Sequence, residues 1–383
     1  MIPGGGACSL APVLDDLRAR YPRVAIAHDW LTVPGGSEQV VLELLEMFPQ
    51  AELFTTVYDP APWPEQIKSR PVHASFLNRV PGATRHYQLL LPLMNRAFRS
   101  FDLDDFDLVL SSSHANAKNV RAPAGVPHVC YCHTPMRYAW EQGFLEGEQV
   151  SPLLRPLLGP LLAWLRRVDL RGADGPTVFV ANSAFVAARI ERYYGRGAQV
   201  VHPPVDVEHY LGLERKGDGD YYLAFGRVVP YKRVDLAAEA CAALGRRLKV
   251  AGDGRALEAV RAQAGATVEF LGKVGDPERD ELLSGARALL FPGEEDFGIV
   301  PVEAQAAGLP VIAYGVGGAR ETVVDGETGV LFGEQTVASL AAAIERFEGL
   351  EGGLDERAIR AHATRFSRER FREGIAAVIA AAS

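Results

Sequence analysis

The stretch YYLAFGRVVPYKRVDLAAEACAALGRRLKVAGDG, residues 221–254, holds a complete strand–loop–helix–strand unit. Tyr221–Val228 is aromatic and β-branched and reads as a strand. Val234–Leu244 is rich in Ala, Leu and Glu and reads as a helix, and Arg247–Ala251 reads as a second strand. The rhythm continues downstream. A helix is predicted near Ala256–Ala264, a strand at Thr267–Leu271, a helix at Pro277–Ala286 and a strand at Ala288–Phe291. The helix Gly298–Ala307 and the strand Pro310–Tyr314 follow. Such alternation predicts a parallel sheet with helices on both faces.

Upstream the same style recurs less regularly. Val24–His28 reads as a strand, Ser37–Phe48 as a helix, Tyr87–Arg99 as a longer helical stretch, and Phe106–Ser111, His128–Cys132 and Val178–Ala181 as further strands. A chain of 383 residues is too long for one comfortable core. The expected fold is therefore α/β, with two Rossmann-like domains facing each other across a cleft and ligands at the carboxyl ends of the strands. The domains are expected at residues 1–204 and 205–365, with a last helix at 366–383 crossing back to the first domain. The boundary is placed in Pro203–Asp220, where a proline pair gives way to a polar, Gly-rich run.

Composition narrows the function classes. Hydrophobic residues make up 48% and charged residues 23%, a normal soluble balance. The formal net charge of −8 gives nucleic-acid binding no global support, so an anionic ligand must be held by local donors. Cys8, Cys130, Cys132 and Cys241 form no spaced disulfide framework, which points to a reducing, cytoplasmic compartment. The start MIPGGGACSL is not read as a signal peptide, and no apolar run is long enough to span a membrane. The most apolar segment, Leu153–Leu165, is interrupted by Arg155, Pro156, Gly159 and Pro160. It reads either as a packed or lid helix or as a patch touching the inner face of a membrane near a lipid-linked acceptor.

Three clusters carry candidate chemistry. In Gly226-Arg227-Val228-Val229-Pro230-Tyr231-Lys232-Arg233, a strand-end loop combines a guanidinium fork with a compact ammonium, a pairing suited to a diphosphate. It also reads as a solvated basic loop. In Glu294-Glu295-Asp296-Phe297-Gly298-Ile299-Val300-Pro301-Val302-Glu303, carboxylates suit sugar and ribose hydroxyls, and a helix start offers free N–H groups to an anion. Capping by acids also accounts for Glu295 and Asp296, but poorly for Glu303, which lies deeper among apolar residues. In His28-Asp29-Trp30-Leu31-Thr32-Val33-Pro34-Gly35-Gly36-Ser37-Glu38, a strand ends and a glycine pair opens a helix. The G-x-G-x-x-G dinucleotide pattern is missing, and Ser37 as a simple helix cap is the plainer reading.

Together these residues resemble the family 4 glycosyltransferases over nearly the whole chain. The most specific element is Glu295…Glu303 framing Phe297-Gly298, followed by Gly308-Leu309-Pro310-Val311-Ile312 and by Gly317-Gly318…Glu321-Thr322. Within that family, His28-Asp29-Trp30-Leu31, Tyr131-Cys132-His133-Thr134-Pro135-Met136-Arg137-Tyr138 and Val229-Pro230-Tyr231-Lys232-Arg233 are similar to bacterial mannosyltransferases of surface-polysaccharide assembly. The resemblance implies a GT-B fold and a retaining transferase. Arg227 and Lys232 would neutralise the donor diphosphate. Glu303 would bind the ribose and Glu295 the transferred sugar. Phe297, Gly298, Ile299 and Val300 would lie against the donor, Gly35 and Gly36 would line the phosphate and acceptor side, and His133 would lie near the donor sugar. It further implies a nucleotide-sugar donor, GDP-mannose before UDP-sugars, a saccharide or lipid-linked acceptor, and no cofactor. Because no carboxylate is convincingly placed as a nucleophile, front-side displacement is expected, with the leaving diphosphate taking the acceptor proton.

Other readings remain beside this one. Cys130, Cys132 and His133 form either a partial zinc site or buried thiols in a strand, the latter favoured because no second paired cluster exists. Asp102-Leu103-Asp104 and Asp218-Gly219-Asp220 match metal-binding pairs but fall in predicted solvated turns, so no metal is expected. His114 after Ser111-Ser112-Ser113 has no G-x-S-x-G elbow and reads as a polar strand end or an acceptor-side wall. A sugar-nucleotide epimerase and a non-catalytic nucleotide-sugar-binding module are the alternative functions.

Overall fold

The computed structural model describes residues 10–141, 155–216 and 219–382. The chain divides into two compact units, residues 1–204 with 369–383, and residues 205–368.

The first unit is built on a seven-stranded parallel sheet of β1 (Val24–His28), β2 (Glu52–Thr55), β3 (Val72–Ala74), β4 (Leu108–Ser113), β5 (His128–Cys132), β6 (Val178–Ala181) and β7 (Ala198–Val200). The order is β3-β2-β1-β4-β5-β6-β7. Its central strands are buried along their whole length, as in a sheet covered on both faces. The main core joins Val24, Ile26, Leu44, Phe48 and Tyr131 to Phe371, Ile375 and Ile379 of the last helix, Arg368–Ala381.

The second unit holds a six-stranded parallel sheet of β8 (Tyr221–Phe225), β9 (Arg247–Ala251), β10 (Val268–Gly272), β11 (Leu289–Phe291), β12 (Val311–Tyr314) and β13 (Gly329–Phe332). The order is β10-β9-β8-β11-β12-β13. One core lies on each face, around Leu223, Leu289 and Val302 and around Tyr222, Leu236 and Phe347.

In both sheets the chain builds outward from one strand, then crosses to its other side. The order therefore reverses between β1 and β4, and again between β8 and β11. At such a switch point successive connections leave the sheet in opposite directions, and a crevice opens above the strand ends.

Several local expectations need correction. The strand expected at Phe106–Ser111 runs instead over Leu108–Ser113, because its last residues pair with Cys132 and its neighbours on β5. Tyr87–Arg99 is a 3-10 turn, Tyr87–Leu90, followed by the helix Leu91–Phe98; Pro92 suits a helix's first turn. Ser37 does not cap the helix Gly36–Met47. Gly35 holds the cap position, and the Ser37 hydroxyl donates to Glu38 Oε2 at 2.9 Å. The prolines near residue 160 do not break their segment either. Arg155–Ala173 is one helix with Pro160 inside it, while Leu153 and Leu154 lie outside the described residues, as do Cys8 and Asp218.

Candidate active site

In the second unit the loops after β8 and β11 meet over the switch point. Lys232, in the short turn Pro230–Lys232, places Nζ 2.5 Å from Glu295 Oε1, with side chains only 14% and 20% exposed. Arg227 stands exposed on the same loop, its Nη2 3.5 Å from the Tyr231 hydroxyl. The Glu295 backbone is tied to the loop after β12, accepting from the Gly318 N–H at 2.8 Å. Gly298 caps the helix Ile299–Ala306 with φ +92°, a left-handed conformation that favours glycine. The N–H groups of the first helical turn lack intrahelical partners, and Ile299 and Val300 are half-buried there. Phe297 is 3% exposed, its ring packed edge-on against Phe366, so its side chain belongs to the core.

Glu303 lies one turn further along this helix, half-buried. Burial raises its pKa, partly offset by a hydrogen bond from the Tyr210 hydroxyl and by the charge of Arg279. The Arg279 guanidinium stacks over the Tyr210 ring at 5.1 Å. The structure thus brings Lys232 and Glu295 together, keeps Arg227 beside them on the same loop, and gives Glu303 a separate setting. Sequence reasoning missed Tyr210. Its partners are distant in the chain, and no local pattern announces them.

In the first unit a second polar group surrounds the switch point. Gly35 and Gly36 are exposed at the start of the helix Gly36–Met47. His133, just after β5, is half-buried, and its Nε2 lies 2.8 Å from the Ser112 hydroxyl at the end of β4. Ser112 in turn meets His28 Nδ1 at 3.1 Å through both hydroxyl and carbonyl, and His28 Nε2 lies 3.2 Å from Glu38 Oε1. Burial disfavours the charged form of His28, but the hydrogen bond and charge of Glu38, with Asp29, outweigh it and raise the pKa. Glu38 is lowered to about 2 despite its burial, by its hydrogen bond to His28 and by nearby imidazoles. His133 is lowered to about 3, chiefly by burial and also by His114 and His28. His114, 3.3 Å from Asp29, is lowered as well, because burial outweighs that carboxylate.

Asp29 has a structural task. It accepts backbone N–H bonds from His114, Ala115, Asn116 and Ala117, fixing the loop after β4. The sequence singles out His28, Asp29 and Glu38 without giving them roles, and reads His114 as a polar strand end or an acceptor-side wall. Their signal was present in the polar ends of adjacent strands, but pairing β1 with β4 across 84 residues is a tertiary fact.

The remaining candidates fall elsewhere. Cys130 and Cys132 are buried thiols packed with Phe179, Val186 and Ile190. Asp102 accepts from the Asp104 N–H in a turn, and Asp220 pairs with Arg247 at 2.7 Å. Among the described residues no cluster of three or more His, Cys, Asp or Glu is arranged to hold a metal ion.

Comparison with known proteins assigns both units. Residues 34–209 match the family model described as Glycosyltransferase Family 4, and residues 212–365 the one described as Glycosyl transferases group 1. The chain is 36% identical to the D-inositol 3-phosphate glycosyltransferase of Geodermatophilus obscurus, over 53% of this chain and 52% of that protein. It is 35% identical to the protein of the same name from Mycobacterium avium, over 44% of this chain and 45% of that one. The chain thus matches about half the length of these curated relatives. Among solved structures, Anabaena Alr3699/HepE in complex with UDP-glucose superposes with a TM-score of 0.67 at 20% identity, covering 94% of this chain and 99% of that one. The lipopolysaccharide outer core galactosyltransferase WaaB in its apo form gives 0.66 at 17% identity, over 94% and 99%. These likenesses show the fold, two Rossmann-like parallel-sheet domains of the GT-B type.

Proposed function

The chain carries a family 4 and a group 1 glycosyltransferase domain, and on that premise we propose that it moves a hexose from a nucleotide diphosphate sugar to a hydroxyl acceptor, retaining the anomeric configuration. The observation that carries this reading is the meeting of Lys232 and Glu295 at the switch point, beside the start of the helix Ile299–Ala306, where the Ile299 and Val300 N–H groups have no intrahelical acceptor.

An entering diphosphate competes with Glu295 for the Lys232 ammonium. It takes that charge together with Arg227 and the helix N-terminus, and releases the Glu295 carboxylate to the sugar hydroxyls. Glu303, steadied by Tyr210, accepts from the ribose. As the glycosidic bond breaks, negative charge grows on the diphosphate where these cationic groups already stand, and fixed donors of this kind lower the barrier without reorganising. The leaving oxygen takes the acceptor's proton, so no separate base is required. Because the growing charge is met by side chains, turnover is expected to survive excess EDTA. Complete loss, restored by one divalent ion, would put a metal in the site.

GDP-mannose is our first donor, on the likeness of the residue 28–31, 131–138 and 229–233 stretches to mannosyltransferases. The UDP complexes among the similar structures support UDP-glucose as its competitor, and the named relatives support an inositol phosphate among the acceptors to test. A lipid-linked acceptor at the cytoplasmic membrane face also fits. The helix Arg155–Ala173 leaves Leu161, Trp164 and Leu170 about 40% exposed near exposed Arg167 and Arg171. None of the described helices is long and apolar enough to cross a membrane.

The test is a donor screen followed by nucleoside diphosphate release, with and without acceptor, and by NMR of the first product formed. Acceptor-dependent release with retained configuration supports the reading. An altered sugar nucleotide formed without acceptor would make the protein an epimerase, and binding without turnover a recognition module.

A further inference from the structure

The polar chain behind His133 reaches across three strands. A carbonyl oxygen only accepts, so the contact of His28 Nδ1 with the Ser112 carbonyl requires a hydrogen on Nδ1. The Glu38 carboxylate also only accepts, so its contact requires a second hydrogen on His28 Nε2. With both ring nitrogens donating, the Ser112 hydroxyl finds no acceptor on His28. Its own hydrogen is free for His133 Nε2, 2.8 Å away. His133 Nε2 is then an acceptor, and the neutral ring carries its hydrogen on Nδ1.

We infer that Glu38, His28 and Ser112 form a relay that holds His133 in its neutral Nδ1–H tautomer, making it a hydrogen-bond donor of fixed polarity at the strand ends. The three are positioning residues, since they act through His133. The inference rests on the reading of His133 as a site residue for its consequence, not for its geometry.

The surroundings enforce this state. Glu38 comes from the helix Gly36–Met47, with its second oxygen occupied by the Ser37 hydroxyl. Asp29 adds negative charge from just after β1, and the neutral His114 ring stands 6.0 Å from His28 and 6.2 Å from His133. The Tyr131 ring packs edge-on against His133 at 5.1 Å. The positive charge this network keeps is therefore on His28, walled off from solvent, and the half-buried His133 is the neutral end. A neutral donor suits an uncharged sugar oxygen, and an imidazolium there would attract a phosphate into the wrong place.

Nitrogen-15 NMR of the full-length protein labelled at histidine tests this directly, with His133 and His28 assigned through His133→Asn and His28→Asn. At pH 7 the wild type is expected to show His133 protonated on Nδ1 only and His28 on both nitrogens. Ser112→Ala should let His133 populate the Nε2–H form and lower kcat about tenfold, the size of one lost hydrogen bond, with donor KM little changed. Ser112→Thr should restore both. Glu38→Gln should leave His28 singly protonated. Wild-type His133 protonated on Nε2, or a Ser112→Ala spectrum identical to wild type, overturns the relay, whatever the activity. If instead the tautomers are as stated and no sugar transfer is found with any donor, the relay stands and the functional reading fails. The wild-type spectrum decides even if a variant does not fold.

Discussion

Glu303 is the residue whose role is most cleanly separable from the rest. It sits in the interior of a short helix, tied to Tyr210 and shaped by the charge of Arg279. Glu303→Gln removes the charge and one acceptor position, while the helix and the Tyr210 packing stay in place. Donor affinity is expected to fall roughly tenfold or more, the loss of one hydrogen bond to a charged group. Equal donor affinity by titration calorimetry, in a variant with wild-type melting behaviour, would remove Glu303 from the site. Acid sensitivity is a second residue-scale outcome. Burial lowers His128 and His133 to about 3, below the ordinary value of 6.5, so the unfolded chain binds protons that the native state refuses. Their contribution to stability is full above pH 6.5 and is lost as pH falls toward 3, by up to about 1.4 kcal/mol per pH unit for each group. His28 is raised, so its contribution is full below pH 6.5 and does not oppose this loss. His128→Asn should therefore flatten the pH dependence of urea-unfolding stability between pH 6 and 4.5 by up to one such slope. Parallel curves for variant and wild type would contradict it.

At the level of elements, the alternating strands and helices of residues 221–314 were legible because β8 and β11 are short apolar runs bounded by turn residues, and β9 alternates buried Leu248 and Val250 with Arg247 and Lys249. The edge strands β3 and β7 were not. Val72–Ala74 and Ala198–Val200 are three residues each, partly exposed, and carry no periodicity that could reveal them. The loops of the site were legible as motifs, since Gly298, Glu295 and Lys232 lie in contiguous stretches, whereas the His28–Ser112–His133 chain joins three strand ends and has no sequence neighbourhood. Loop approach also has an energetic signature. Gly252 follows β9 with φ +146°, and a Cβ there would lie 1.8 Å from the Gly226 carbonyl oxygen at the base of the Arg227–Lys232 loop. Gly252→Ala must shift one backbone or the other. A stability loss of about 1–3 kcal/mol is expected, with weakened donor binding beside it. An unchanged urea midpoint would show that the two loops do not depend on each other.

At the scale of the whole molecule, the two units have separate cores, and the last helix belongs to the first of them. Phe371, Ile375, Val378 and Ile379 are each 1% exposed or less and pack with Val24, Leu44 and Tyr131. Burying a side chain of this kind stabilises by about 1.5–3 kcal/mol, so removing four costs about 6–12 kcal/mol, comparable to the whole stability of an ordinary domain at about 5–15 kcal/mol. A chain ending at Arg368 should lose hydrogen-exchange protection in β1, β4 and β5 while β8, β11 and β12 keep theirs. Uniform loss across both sheets would mean that the units do not fold separately. We propose that the loops after β8 and β11 hold a nucleoside diphosphate. Titration calorimetry with GDP and with UDP tests it most directly, on the wild type and on Arg227→Ala/Lys232→Ala. One saturable site per chain is expected for at least one nucleotide, competed by the matching sugar nucleotide and abolished in the double variant. Binding of equal strength in a folded double variant, or none by the wild type with either nucleotide, would contradict it.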